Sequence, residues 1–351
     1  MRNRYILITG GAGFIGTNIA RAYLQDDHAV HIFDNLSRPG VERNVAGLLQ
    51  TYPGRVLFTE ADTRNGSEVE KAVESASAVY HLAAQVAVTT SLDDPLSDLQ
   101  TNLIGTLHLL EAIRRSESKP SLLFTSTNKV YGRLGRVSLC EQVNRYGPQD
   151  SRIAELGAGE DQPLEFLSPY GCSKGSADQY VLDYAHSFGI HATVFRMSCI
   201  YGPYQLGSED QGWVAHFVRQ AMKGRAITIY GDGKQVRDLL FVEDLVRAMR
   251  LAHENMAACS GEAFNMGGGV ENSTSLLELI AQLRSLVGSS VKVEWGSERL
   301  ADQRWYVADT SKIRKALGWT PKTSIWQGLR ALYAWYLEQP ALVERAEAQV
   351  A

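Results

Sequence analysis

Cysteine is scarce. Cys140, Cys172, Cys199 and Cys259 are the only four in 351 residues. They are scattered, with no CxxC pair and no histidine pair nearby. That argues against a disulfide framework or a zinc site, leaves no metal expected, and fits a reducing cytoplasm. Basic charge is also in short supply: 35 Lys and Arg against 39 Asp and Glu give a net charge of −4. Nucleic acid is therefore not an expected partner, because phosphate backbones bind basic surfaces. No run of 18 apolar residues occurs, so no membrane span is expected. The first apolar run, YILITG after MRNRY, is too short and too soon broken by glycine for a signal peptide. Repeats and low-complexity tracts are missing too. What is present, 44% hydrophobic and 21% charged residues, suits a globular chain long enough for one large domain or two modest ones.

Short apolar runs alternate with helical patterns through the first half. YILIT (5–9), AVHIFD (29–34), RVLFTE (55–60), AVYHLA (78–83), SLLFTS (121–126) and HATVFRM (191–197) read as strands. Between them, IGTNIARAYLQ and NLIGTLHLLEAIRRS place apolar residues at helical spacing. The alternation predicts an α/β fold, a Rossmann-type doubly wound parallel sheet covered on both faces. Beyond residue 200 the pattern loosens, and FNMGGG reads as a glycine break. A smaller mixed α/β domain is expected there, capping the open end of the sheet. The expected division is 1–195 with about 236–262 for the first domain, and about 196–235 with 263–345 for the second.

TGGAGFIG follows the first strand and opens the first helix. Gly10 permits the tight turn, Gly13 lets backbone approach a pyrophosphate, and Gly16 allows helix to pack closely on strand. The second strand ends in Asp34, 18 residues beyond Gly16. A carboxylate there accepts hydrogen bonds from ribose hydroxyls and repels a 2′-phosphate, so NAD is favoured over NADP. Asp62 and the run Leu82 to Gln85 fall at further strand ends, where open α/β sheets bind ligands. His81, alone in an apolar strand, is read as packed.

SPYGCSK places Tyr170 and Lys174 four residues apart, just after Pro169, which suits a first helical turn. An ammonium beside a phenol is expected to lower the tyrosine pKa, making Tyr170 a general base for a sugar hydroxyl. Thr127 or Ser126, past the fifth strand, supplies a hydroxyl to the same oxygen. Lys174 also suits a nicotinamide ribose. The combination of TGxxGxxG, a strand-end Ser/Thr and YxxxK resembles the extended short-chain dehydrogenase/reductase superfamily. The resemblance implies NAD, proton removal from a hydroxyl coupled to hydride transfer, and a homodimer or homotetramer.

Within that superfamily, 4,6-dehydratases place an Asp-Glu pair after the threonine, whereas Asn128 and Lys129 stand here. Asn128 cannot act as an acid, so dehydration is disfavoured. STNKVYG, SPYGCSKGSADQYVLDYAHSFG, FRMSCIYGP, EDQGWVAHF and GDGKQVRDLL closely resemble the CDP-tyvelose (CDP-paratose) 2-epimerases. That implies reversible oxidation at C2 of a CDP-linked hexose through a 2-keto sugar, with no net redox change. The same resemblance assigns Gly10, Gly13, Phe14, Ile15 and Gly16 to the pyrophosphate and Asp34 with Asn35 to the ribose. It puts Asp62 and Thr63 by the adenine, and Leu82, Ala83, Ala84 and Gln85 along the cofactor channel. Asn102 lies behind that channel, and Met197 beside the cofactor with Tyr170 and Lys174. It assigns substrate contacts to Asn128, Lys129, Cys199, Gln211 and Trp213, with Arg237 and Arg299 on the diphosphate and Asp302 on the nucleoside ribose. Fork-shaped guanidinium donors suit a diphosphate, and a carboxylate suits a diol. Leu167 departs from the family, where a histidine commonly precedes SPYG, which bears on sugar specificity. A 4-epimerase using the same machinery and a non-catalytic NAD-binding protein are the alternatives.

Overall fold

A computed structural model describes residues 4–298 and 303–339. The chain divides into two compact units. The first comprises 1–127, 168–196 and 246–264, and the second 128–167, 197–245 and 265–351.

The first unit is built on β1 (Tyr5–Thr9), β2 (Val30–Asp34), β3 (Val56–Glu60), β4 (Ala76–His81) and β5 (Ser121–Thr127). Among the described residues seven strands join in one sheet: Ala263–Met266, Ala192–Met197, β5, β4, β1, β2 and β3, in that spatial order. The pairs from β3 to β5 are parallel. Parallel neighbours need crossover helices, which cover both faces and leave the strands apolar throughout. Side chains alternate accordingly. Leu7 of β1 and Val79 of β4 join a buried cluster with Val69, Leu109, Ile113 and Val181 on one face. On the other, Tyr80 meets Tyr23 of helix α1 (Phe14–Gln25), their hydroxyls 2.6 Å apart.

All six strands read from the sequence occur, within about two residues at each end. The seventh, Ala263–Met266, lies where a glycine break was expected. It is four residues long and wholly buried, too short for its own periodicity to show.

Among its described residues the second unit holds a four-stranded sheet in which Val236–Phe241 pairs with Ser273–Ser275, Trp305–Tyr306 and Cys199–Tyr201. Ile227–Tyr230 pairs with Val293–Gly296. Helices Leu276–Val287 and Ile325–Glu338 each begin with a reciprocal capping box, Ser275 with Glu278 and Ser324 with Gln327.

Residues 128–167 and 236–245 pack with this unit rather than with the first, where the sequence pattern had placed them. Their backbone groups explain it. Tyr146 N–H donates to Lys234 O, Ala158 N–H to Val307 O, and Val236 N–H to Arg304 O. Those partners lie far along the chain, so no local pattern announces them.

Candidate active site

At the end of β1 the backbone turns at Gly10, whose φ of +68° favours glycine. A Cβ there would lie 2.6 Å from Ala83 N, and one on Gly16 would lie 2.6 Å from Gly10 O. The two glycines thus let the loop, α1 and the 82–83 segment close together. Gly13 is the N-cap of α1, and Phe14 and Ile15 open its first turn, which contains no acidic side chain. Leu82 N–H donates to Thr9 O at 3.0 Å, and Ala83 and Ala84 continue from that bond, half-buried. Backbone donors and the positive end of the helix dipole suit an anion here.

Asp34 ends β2. Its carboxylate accepts from Ala12 N–H at 3.0 Å and Leu36 N–H at 2.9 Å, which fixes its direction. Burial pushes its pKa up, against the pull of those two donors and of Arg38. Asp62 accepts from Arg64 and from Asn35 Nδ2 at 2.8 Å, and the Arg64 hydrogen bonds hold its pKa down at about 2. Thr63 turns inward: it is buried, and its hydroxyl lies against the backbone of Gly105.

The second half of the site is set by the helix Ser168–Phe188. Tyr170, 8% exposed, bonds through its phenol to the Thr127 hydroxyl at the end of β5. Ser126 Oγ, by contrast, is buried with no hydrogen-bond partner among the described residues. The two hydroxyls left open by the sequence are therefore distinguished, and Thr127 is the one on Tyr170. Lys174, one turn on, is 3% exposed, with its ammonium 4.2 Å from the centre of the Phe124 ring.

The expectation that Lys174 lowers the Tyr170 pKa is not met. Burial dominates both groups: it pushes the phenol up to about 12 and the ammonium down to about 7. Thr127 and Arg38 pull the phenol down, and Asp98 pushes it up.

Beneath this pair lies a polar network that the sequence reading did not find. Asn102, in the wide π turn Gln100–Ile104, accepts from Gln85 N–H at 2.9 Å and donates to Gln85 O, Asp98 Oδ1 and Ser173 Oγ at 3.0–3.1 Å. π turns inside helices recur at functional sites. Ser173 Oγ donates to Asp98 Oδ2. The spacing of Asp98 and Asn102, four apart, was the available signal. Asp178 forms a buried fork with Arg196, both contacts 2.9 Å. His81, as expected, is packed: its ring lies 2.6 Å from Thr9 Oγ1 and 3.0 Å from Thr106 Oγ1. Met197 ends the strand Ala192–Met197, half-buried.

In the second unit Trp213 Nε1 donates to Cys199 Sγ at 3.4 Å. Burial pushes the Cys199 thiol up, while the charges of Arg237 and Lys129 pull it down. Three substrate candidates, Lys129, Trp213 and Arg237, therefore act on the thiol of a fourth, Cys199. Lys129 Nζ also donates to Gln303 Oε1 at 3.3 Å. Gln303 lines a cavity of about 100 Å³ with Tyr146, Tyr230, Asp232, Gln235 and Arg304. Asn128 is buried. Gln211, half-buried, receives Ser208 N–H on its carbonyl at 2.7 Å. Arg299 and Asp302 lie outside the described residues. Among the described residues no helix is long and apolar enough to cross a membrane.

The profile of a family described as GDP-mannose 4,6 dehydratase matches residues 7–332. The chain is similar to the CDP-paratose 2-epimerase of Salmonella typhi, 42% identical over 337 residues, which cover 94% of this chain and 98% of that one. It is 31% identical over 363 residues to dTDP-glucose 4,6-dehydratase 1 of Escherichia coli (strain K12), with 97% and 95% covered. The solved UDP-glucose 4-epimerase of Thermus thermophilus, a complex with NAD, superposes with a TM-score of 0.79 at 30% identity, over 95% of this chain and 99% of that one.

Proposed function

The chain belongs to the GDP-mannose 4,6-dehydratase family of NAD-dependent nucleotide-sugar epimerases and dehydratases, and from that premise we propose that it inverts C2 of a CDP-linked hexose of the paratose and tyvelose type. NAD is its cofactor, and the chemistry NAD supplies is reversible acceptance of a hydride. The close approach of Gly10 to Ala83, the uncapped start of α1 and the oriented Asp34 carboxylate fit that cofactor.

In this reading Tyr170 takes the proton of the C2 hydroxyl and later returns it. The Thr127 hydroxyl, already bonded to the phenol, orients it toward the sugar oxygen. Lys174, one helical turn on and buried, takes the nicotinamide ribose, while Arg38 is the charge that pulls the phenol toward phenolate. A 2-keto sugar forms, turns over, and is reduced on its other face, so the sugar leaves with no net change in oxidation state. Arg237 and Lys129, whose charges both act on Cys199, take the diphosphate, and the cavity lined by Tyr146 and Tyr230 takes the nucleoside.

What carries the choice of C2 is the higher identity to the Salmonella typhi 2-epimerase than to the dehydratase and the 4-epimerase, together with Asn128 and Lys129 where dehydratases place two acids. A 4-epimerase is the second reading, favoured by the overlap with the solved UDP-glucose 4-epimerase. CDP-, UDP-, GDP- and dTDP-hexoses offered in parallel, with products read by NMR, decide between them. Inversion at C2 of a CDP-sugar is the expected result. Inversion at C4, with C2 untouched, removes the first reading.

A further inference from the structure

Asp98 has no role in the chemistry described so far, yet it is 1% exposed and its carboxylate accepts the hydroxyl of Ser173, within the Tyr170–Lys174 turn. It sits in the short helix Pro95–Leu99, which is capped by Asp94 through Ser97 N–H at 3.0 Å. Its Oδ1 receives Asn102 Nδ2 and Gln85 Nε2, each at 3.1 Å, and its Oδ2 receives the Ser173 hydroxyl. These three partners are neutral donors, which favour the ionised carboxylate. Asp178, on the same side of the helix as Lys174, is instead matched by the guanidinium of Arg196.

A buried carboxylate held by neutral donors alone is costly to keep charged. Burial pushes the Asp98 carboxyl up, and the Ser173 hydroxyl, the charge of Lys174 and the two amides pull it back toward the ionised form. Ser173 Oγ also lies 3.2 Å from the Tyr170 carbonyl, so the bond from Ser173 ties Asp98 to the turn between the two catalytic candidates.

We propose that Asp98 is a positioning residue for this reaction, a fixed buried charge that keeps Lys174 protonated beside Tyr170 and tethers their helical turn through Ser173. The proposal rests on the epimerase reading for its effect on turnover, but not for its effect on Lys174. Burial alone pulls the lysine down, and the Asp178 and Asp98 charges hold it back up, to about 7. Asp178 has the larger effect of the two and is also forked to Arg196, so Asp98 is the one whose removal leaves no guanidinium unpaired. The same charge raises the Tyr170 phenol, so Asp98 favours ammonium over phenolate and holds the resting pair protonated.

The test is an NMR titration of the NAD-loaded protein labelled at lysine Cε, with the Lys174 resonance assigned from Lys174→Met. In Asp98→Asn the Lys174 resonance is expected to titrate at lower pH than in the unsubstituted protein. The alkaline limb of turnover on whichever nucleotide sugar is accepted should move the same way. An unmoved Lys174 titration overturns the proposal, whatever happens to turnover. Asp98→Glu keeps the charge, so its Lys174 titration should stay near that of the unsubstituted protein while turnover falls because the carboxylate is displaced. A drop in titration pH there also overturns it, and this arm stands if Asp98→Asn does not fold. No product from any sugar, with the titration shift intact, would refute the epimerase reading and leave Asp98 as the charge that sets Lys174.

Discussion

At the scale of single residues, the site separates groups that the sequence could only list. Tyr170→Phe removes the proposed proton acceptor but not the fold, so turnover should drop roughly 10²–10⁴-fold with NAD still bound. Near-normal turnover would take Tyr170 out of the mechanism. Thr127→Ala should lower turnover, because it deletes the bond to the phenol. Ser126→Ala should change it little, since Ser126 Oγ has no hydrogen-bond partner among the described residues; parallel kinetics of the two variants would settle the point, and equal losses would contradict it. Asp34→Ala should weaken NAD retention through gel filtration, because the carboxylate held by Ala12 and Leu36 is the expected ribose acceptor. Histidine burial brings a pH dependence of its own. His81 titrates at about 3 instead of 6.5, and His31 at about 4, both through burial. Between those values the unfolded chain binds more protons than the native one. The stability is therefore fully present above pH 6.5 and is lost as pH falls below it, by up to about 1.4 kcal/mol per group per pH unit. A urea midpoint that does not fall between pH 7 and pH 5 would contradict this.

At the scale of elements, strand positions were legible because buried parallel strands are short apolar runs bounded by polar and glycine residues. TGGAGFIG was legible because a tight turn and a close helix approach both exclude side chains. Gly16→Ala tests that directly. Its Cβ would meet Gly10 O at 2.6 Å, so a lower melting temperature and loss of bound NAD are expected by calorimetry and absorbance. What stayed hidden was contact between elements. The Asp98, Asn102, Ser173 and Gln85 network joins three segments, and a sequence shows such residues as unrelated polar side chains. The fork between Asp178 of the Ser168–Phe188 helix and Arg196 of the neighbouring strand was hidden for the same reason. Its two side chains are 0% and 5% exposed. Arg196→Ala should therefore cost about 3–5 kcal/mol in denaturant unfolding, because it leaves the Asp178 charge buried and alone.

At the scale of the whole molecule, the expected behaviour is that of an enzyme that recycles its own cofactor. The purified protein should carry NAD and epimerise without any added. A strict stoichiometric demand for NAD would indicate a dehydrogenase instead. The amino-acid order alone determined the doubly wound sheet, the glycine loop with its strand-end carboxylate, and the Tyr170–Lys174 pair, because each is a pattern of neighbours at fixed spacing. Only the folded chain decided which hydroxyl meets the phenol, which segments join the second unit, and which way the pKa values of Tyr170 and Lys174 move. Those outcomes depend on burial and on partners far apart in the chain, and desolvation of a charge is a property of the packed interior that no local spacing encodes.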